Sequence, residues 1–449
     1  MKRITVIVLI LAVLFSVSGC SKKNNRTIIV PSTGALVIIS PHWEGVRKEF
    51  GDAFKVWYEK KYAKKAEIEW LDQGGSGDDL RFVKSEFTKN PSTTGIDIFF
   101  GGGVEPFMEL EKKNYTFPYK ISKTSLDRIP SNIFGMPVYS ASYGWYGACL
   151  SGFGIVYNRT ILKMMNLKEP KTWQDLSDPK LFGWIGSSDP RHSGSIHMMY
   201  EIILQAYGWQ KGFQSIIQMA GNIKSFPKYA SQTPKDVSAG QVAYGLAIDA
   251  YGWAQVAQSG EDKVGFMLPE NLTVINPDAI CILKGAPHLD LAKAFVEFVM
   301  SEDGQKLWML RKNIEGGPKE FELDRLSVIP DLYGKFKDKT VIKVNPFKYK
   351  GVFKYDPEKG SLRYTILNDF IGATVIDTHK ELVKAWKAII KGGMKEAAVK
   401  RFLEIPQTEN ELLEMASKKW SDPVFRNQKI KEWIEFSKKK YKEAEKLAK

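Results

Sequence analysis

"INPDAICILKGAPHLDLAKAFVEFVMSEDGQKLW", residues 275–308, decides the fold class, because two periodicities follow one another within it. Its opening residues, in "TVINPDAICIL", are a short β-rich run, whereas "LDLAKAFVEFVM" and "EDGQKLWML" repeat apolar residues at helical spacing. The same change of period recurs upstream. "IIVPSTGALVIIS" opens the folded part with β-rich residues, Val46, Phe50, Phe54 and Trp57 share a helical face, and "AEIEWL" alternates like a strand ending near Asp72. "GIDIFF" is a short apolar strand followed by the helical "MELEKKNY". Then come the strand "FGIVYN", a helix opened by Thr172 in "TWQDL", the strand "LFGWIG", a helix from Ser195 and the strand "VAYGLAID". Such alternation predicts an α/β sheet with helices on its faces. No internal repeat interrupts it. From about Phe370 the chain reads as several amphipathic helices, the last placing Ile430, Trp433, Ile434 and Tyr441 at helical spacing for packing against the parent lobe.

Residues 1–19 stand outside this pattern: Lys2 and Arg3 precede an apolar run from Ile4 to Phe15 and then "VSGC", the composition of an export signal. The run is shorter than the roughly 20 residues that a spanning helix needs. Residues 20–26 read as a polar tether. The formal charge of +14 is concentrated at the C-terminus, where residues 418–449 carry eleven Lys or Arg against five acids. Export argues against nucleic acid as the partner and in favour of anionic lipid or anionic solutes. Cys149 and Cys281 are the only cysteines besides Cys20, too few for a disulfide framework.

"VSGC" resembles a bacterial lipobox, which implies that Cys20 carries lipid at the new N-terminus. A broader likeness runs from about Ser40 to Leu310. "GIDIFFGGGVEPFMEL", "LSGFGIVYNRTIL", "TWQDLSDPKLFGWIGSSDPRHSGS", "AGQVAYGLAIDAYGWAQV" and the opening stretch, in this order, resemble the ferric-ion-type (family 1-like) extracellular solute-binding proteins of ABC importers. The resemblance implies a two-lobed periplasmic-binding-protein-like (type II) fold that closes on a solute. It also implies two crossover strands, near Cys149–Phe153 and Asn276–Ile282. Lobe 1 is then 27–150 plus 275–345, lobe 2 is 151–274, and 346–449 is an additional, mainly helical section packed on the lobes. Adjacent crossovers would bring Cys149 and Cys281 together, leaving a bridge between them open.

Within "DPRHSGS" the first turn of a helix presents backbone N–H donors without intrahelical partners and the positive end of its dipole. Ser193 and Ser195 add hydroxyls, Gly194 lets an oxyanion approach, and Arg191 and His192 stand beside it. An ordinary N-cap by Ser193 explains the same residues; the resemblance, in which the matching helix start holds an anion, favours the site. Ferric members of the family grip iron with a histidine, a glutamate and two adjacent tyrosines. Here Gly102 occupies the glutamate position and Ala250 that of one tyrosine, so only His42 and Tyr251 remain. Hard Fe³⁺ demands anionic oxygen ligands, and two ligands are too few.

Gly101, Gly102 and Gly103 end a strand where open α/β sheets bind ligands, and are expected to expose amides and clear space for a solute bulkier than an ion; a plain turn is the alternative. Gly75, Ser76 and Gly77 repeat that chemistry before a helix at Asp78. Asp249 and Tyr251 are candidates to hold hydroxyls, and Trp43 and Tyr146 to stack on the solute or to pack in core and hinge. The expectation is an exported, lipid-anchored, monomeric binding protein without a cofactor, not an enzyme. It would deliver a small anionic organic solute, such as a sugar phosphate, polyol phosphate or phosphonate, to a permease with its ATPase. Ferric iron with a synergistic anion is the alternative, and an exported enzyme with Cys149 as nucleophile a more distant one, since "GACLSG" carries no adjacent base.

Overall fold

A computed structural model describes residues 34–449 except positions 134, 341, 343 and 349–352. The leader, the 20–26 tether and Cys20 lie outside the described residues, as do residues 27–33 of the expected first lobe. Ten strands are present among the described residues: β1 (Leu36–Ile39), β2 (Ile68–Leu71), β3 (Ile98–Gly103), β4 (Asn132–Ile133), β5 (Met136–Pro137), β6 (Tyr146–Asn158), β7 (Ile185–Gly186), β8 (Tyr244–Ile248), β9 (Val264–Met267) and β10 (Ile275–Ile282). Eight form one curled sheet in the order β2-β1-β3-β10-β6-β8-β7, with β9 also on β6. β1 is parallel to β2 and β3, β10 is antiparallel to both its neighbours, and β8 runs parallel to β7 and antiparallel to β6.

β6 joins the two lobes. Its first half pairs with β10 as far as Gly152, and from Phe153 onward it pairs with β8 and β9. Every residue of β6, β8 and β10 is buried, as expected of strands covered on both faces. The second crossover is narrower than Asn276–Ile282: only the Ile275 end of β10 reaches the point where β6 changes partner, and the rest belongs to the first lobe's sheet. Cys149 lies opposite Asp278 and Cys281 opposite Phe99, so the cysteines are three residues out of step along β10. At about 3.3 Å per residue that offset exceeds the roughly 7 Å a disulfide tolerates, and both thiols are free and buried. The expected proximity does not hold.

Helices cover the sheet where their apolar faces predict. The helix Glu44–Tyr62 buries Val46, Phe50 and Phe54, with Phe50 against Phe298 and Phe54 against Phe295 and Phe298 of the helix Leu289–Met300. Two segments are shorter than their patterns suggest. "LFGWIG" pairs only at Ile185–Gly186, because Asp178 caps a 3₁₀ turn at Pro179–Leu181 and Gly183 takes a left-handed φ of 77°. "TWQDL" is likewise 3₁₀, closed by the Thr172–Asp175 capping box.

The C-terminal helices begin at Pro357, not near Phe370, because Asp356 caps the Lys359 N–H and Pro357 fits the first turn. The helix Pro357–Ile371 lies against both lobes. Tyr355 donates to Glu105 Oε1 at 2.8 Å and Ser361 to the Glu105 carbonyl, both on the first lobe. On the second, Arg363 forks onto Glu201 at 2.7 and 2.8 Å, with both side chains fully buried. Trp386 donates to Asn222, and Trp433 and Tyr441 of the last helix, Pro423–Ala448, are core residues. Among the described residues no helix is long and apolar enough to cross a membrane.

Candidate functional site

A cavity of about 300 Å³ opens between the lobes, within the range of pockets that hold small organic molecules. On the first lobe its wall comprises Pro41–Trp43 after β1, Asp72, Gly75 and Ser76 after β2, Gly102 and Gly103 at the end of β3, Asn276–Asp278 of β10, and Arg325. The second lobe supplies Ser151, Phe153, His192–Ser195, Met198, Lys228–Ser231, Ile248 and Tyr251. Most of these positions follow strands or open helices, which is where an α/β sheet exposes backbone groups.

The helix Gly194–Tyr207 points its first turn at the cavity. Ser193 caps it by accepting the Ile196 N–H at 3.3 Å, and the Ser193 and Ser195 hydroxyls lie 3.1 Å apart. Across the cleft Ser76 Oγ accepts the Gly194 N–H at 2.7 Å, tying the lobes together at the helix start. His192 Nδ1 sits 2.8 Å from Asp78 Oδ2, and a Cβ at Gly75, whose φ is 145°, would overlap the His192 carbonyl. Glycine is needed there by the close approach of the lobes. Trp43 is exposed at the mouth, its ring edge-on to Phe321.

Opposite the helix start stands a buried polar cluster. Arg325, 4% exposed, donates to Asp278 Oδ2 at 3.0 Å and to Ser151 Oγ at 3.2 Å. His42 lies with Nε2 3.3 Å from the same carboxylate and Nδ1 3.2 Å from Ser40 Oγ, and Asp278 also accepts the Gly102 N–H. Burial alone would raise the Asp278 pKa; His42, Arg325 and the Gly102 amide outweigh it and hold it at about 2. Burial lowers the His42 pKa, against the pull of Asp278, so its ring is neutral near pH 7. Tyr251 lines the cavity with its ring 6.0 Å from the Arg325 guanidinium.

Four residues expected at the site are elsewhere. Arg191 is clamped by Asp189 and by Asp377 of the C-terminal section, so its charge is already paired. Asp249 is buried beneath the wall, accepting the Gly152 and Ala250 N–H groups at 2.8 Å, and burial raises its pKa to about 6. Tyr146 is buried with its hydroxyl on the Tyr119 carbonyl, a packing role beside Tyr139 and Tyr143. Gly101 does not face the cavity: a Cβ there would lie 2.8 Å from the His42 ring. The glycine run makes room for polar side chains more than for a solute. Gly101 admits His42, Gly103 admits the Asn276 amide, and the Gly102 amide is spent on Asp278.

Arg325, Asp278, Asn276 and Lys228 were not among the expected site residues. A signal existed for two of them: Asn276 and Asp278 are polar at a spacing of two in an otherwise apolar strand, hence on one face. Arg325 is a lone cation in "LDRLSVIP", beyond the stretch that the resemblance covers. Cys149 is wholly buried and its thiol is pushed well above the usual range by burial, the opposite of what a nucleophile needs. Among the described residues no three His, Cys, Asp or Glu side chains converge as a metal site would require.

Residues 94–315 match the family described as bacterial extracellular solute-binding protein. The chain is 26% identical over 336 residues to an uncharacterized protein of Haemophilus influenzae, covering 71% of this chain and 88% of that one. It is 28% identical over 158 residues to the phosphoglycerate transport regulatory protein PgtC of Salmonella typhimurium, 35% of this chain and 39% of PgtC. Among solved structures it resembles AfuA of Actinobacillus pleuropneumoniae with exogenous fructose-6-phosphate bound, at TM-score 0.56 and 21% identity over 80% of this chain and 99% of that one. Apo ferric ion-binding protein A of Pasteurella haemolytica matches at TM-score 0.58 and 15% identity, over 77% and 98%. The matched family binds solutes and is not a family of enzymes. Residues 94–315 are a bacterial extracellular solute-binding domain, and the chain has a two-lobed periplasmic-binding-protein fold that carries a helical C-terminal section.

Proposed function

We propose that this chain is the substrate-binding lipoprotein of an ABC importer and holds a small anionic organic solute, a sugar phosphate, polyol phosphate or phosphonate, in the interlobe cavity. In this reading 27–150 with 275–345, and 151–274, are the moving lobes, hinged on β6 and the start of β10, and Cys20 anchors a monomer to the membrane. The observation that carries it is the start of the helix Gly194–Tyr207, whose first turn and two serine hydroxyls open on a cavity of about 300 Å³ with Lys228 at its rim. The Gly194 and Ile196 N–H groups already face Ser76 and Ser193 Oγ, but the aligned peptide dipoles, the Ser195 N–H, the two hydroxyls and a lysine together suit a phosphate or phosphonate group. Fructose-6-phosphate in AfuA and phosphoglycerate in the name of PgtC are solutes of this class.

Ferric iron fits less well. His42 and Tyr251 both line the cavity, but both His42 ring nitrogens already face partners, and the Arg325 guanidinium, which shares Asp278 with His42 and lies 6.0 Å from the Tyr251 ring, would repel a trivalent cation. A thermal-shift screen of purified protein against sugar phosphates, polyol phosphates, phosphonates, inorganic phosphate and ferric citrate tests the reading, since a ligand of the native state alone raises its apparent stability. Stabilisation by an organic phosphate or phosphonate supports it; stabilisation by ferric salts alone refutes it.

A further inference from the structure

Asn276 carries the one polar side chain on the cavity wall that is buried and makes no well-formed hydrogen bond among the described residues. It is 1% exposed; Oδ1 has no hydrogen-bond partner, and Nδ2 has the Glu105 carboxyl beside it but makes no well-formed hydrogen bond. On β10 it shares a face with Asp278, two residues on, whose carboxylate is engaged by His42, Arg325 and the Gly102 N–H. A Cβ at Gly103 would come within 2.9 Å of Asn276 Nδ2, so glycine at that position keeps the approach to the amide open. Buried amides are paired almost without exception, since leaving one dry and unpaired is costly. An unpaired amide facing a cavity is therefore a binding group awaiting its partner.

Building on the function proposed above, we infer that Asn276 is the specificity-determining residue that reads hydroxyl groups on the solute. An amide offers an acceptor and two donors in one plane, and a hydroxyl both donates and accepts, so adjacent hydroxyls complement Oδ1 and Nδ2 together. A phosphate oxygen only accepts and would leave Oδ1 unpaired. The neighbouring charge points the same way: the Asp278 carboxylate lines this end of the cavity, whereas the helix start at Gly194 lies on the other lobe. The solute thus lies with its anionic group at Ser193–Ser195 and its hydroxylated part at Asn276.

The test compares wild type, Asn276→Leu, which keeps the size and removes both polar atoms, and Asn276→Ser, which keeps one. Each is titrated calorimetrically with fructose 6-phosphate and with ethyl phosphate, a monoester without hydroxyls, and melted without ligand. Two lost hydrogen bonds should weaken fructose 6-phosphate binding by about ten- to a hundredfold in Asn276→Leu, with a smaller loss in Asn276→Ser. Ethyl phosphate should bind all three alike, and the ligand-free melting temperature of Asn276→Leu should equal or exceed that of wild type. Unchanged fructose 6-phosphate affinity overturns the inference, as does a lower ligand-free melting temperature with both ligands weakened equally, which marks a structural amide. Failure of wild type to bind any phosphate ester counts against the proposed function instead. The ligand-free melts then still decide on Asn276, since a stabilised Leu variant supports an orphan amide and a destabilised one refutes it.

Discussion

Replacing Arg325 by methionine probes the polar cluster on which the cavity wall rests. The side chain is 4% exposed, its guanidinium is 3.0 Å from Asp278 Oδ2 and 3.2 Å from Ser151 Oγ, and methionine keeps most of its apolar length. Breaking a buried ion pair by removing one partner costs about 3–5 kcal/mol, chiefly because the remaining charge is left unpaired. Asp278 would keep His42 and the Gly102 N–H, which places the expected loss at the lower end, about 3 kcal/mol. The loss should depend on pH. Arg325 holds the His42 pKa down and Asp278 draws it up, so without the guanidinium the folded-state pKa of His42 rises. In wild type the lowered His42 pKa costs stability as pH falls below the unfolded value, and a smaller depression in the variant reduces that cost. The deficit should therefore be smaller at about pH 5.5 than at about pH 8. Urea unfolding of Arg325→Met, Asp278→Asn and the double variant at both pH values measures this. The double variant should lose at least about 2 kcal/mol less than the sum of the singles. Additive losses, or a deficit below about 1 kcal/mol with no pH dependence, would refute the picture of a coupled cluster.

At the helix start, Gly194→Val places a Cβ 2.7 Å from Ser76 Oγ and 3.4 Å from the Tyr364 hydroxyl, wedging the lobes apart where they meet. Displacement of the helix start from its partner lobe should lower affinity for an organic phosphate by about a hundredfold or more in calorimetry, with an unchanged far-ultraviolet circular dichroism spectrum. Glu105 is buried and its pKa is raised by that burial from 4.5 to about 7. A raised carboxyl pKa means the folded state binds the extra proton, so this group's contribution falls as pH rises from about 4.5 to about 7. Glu105→Gln should gain on wild type by about 3 kcal/mol across that window, seen in unfolding curves against pH. Burial also raises both cysteine thiols, so Cys149 and Cys281 should resist a thiol reagent in the native protein and react on unfolding.

The α/β order was legible because strands such as β3 and β10 and helices such as Leu289–Met300 each carry their own periodicity, and burial follows it. The helix start at Ser193 was legible for the same reason: a cap followed by apolar residues is a local signal. What a side chain meets across the fold is not local. Arg191 and Asp377 are far apart in sequence, and nothing near "DPRHSGS" announces that the C-terminal section consumes that charge. Asp249 follows a strand as a ligand-binding residue would, but the Gly152 N–H that it satisfies belongs to β6. The three glycines announced space without saying for whom. That space went to His42 and Asn276, whose positions depend on how β1 and β10 flank β3.

The most direct measurement of the central claim is calorimetric titration of the wild-type protein and Gly194→Val with fructose 6-phosphate and other sugar and polyol phosphates, alongside ferric citrate with His42→Ala and Tyr251→Phe. The account predicts saturable one-site binding of an organic phosphate by wild type, its loss in Gly194→Val, and no iron binding that depends on His42 and Tyr251. Tight ferric binding abolished by His42→Ala and Tyr251→Phe, with no heat from any organic phosphate or phosphonate, would contradict it.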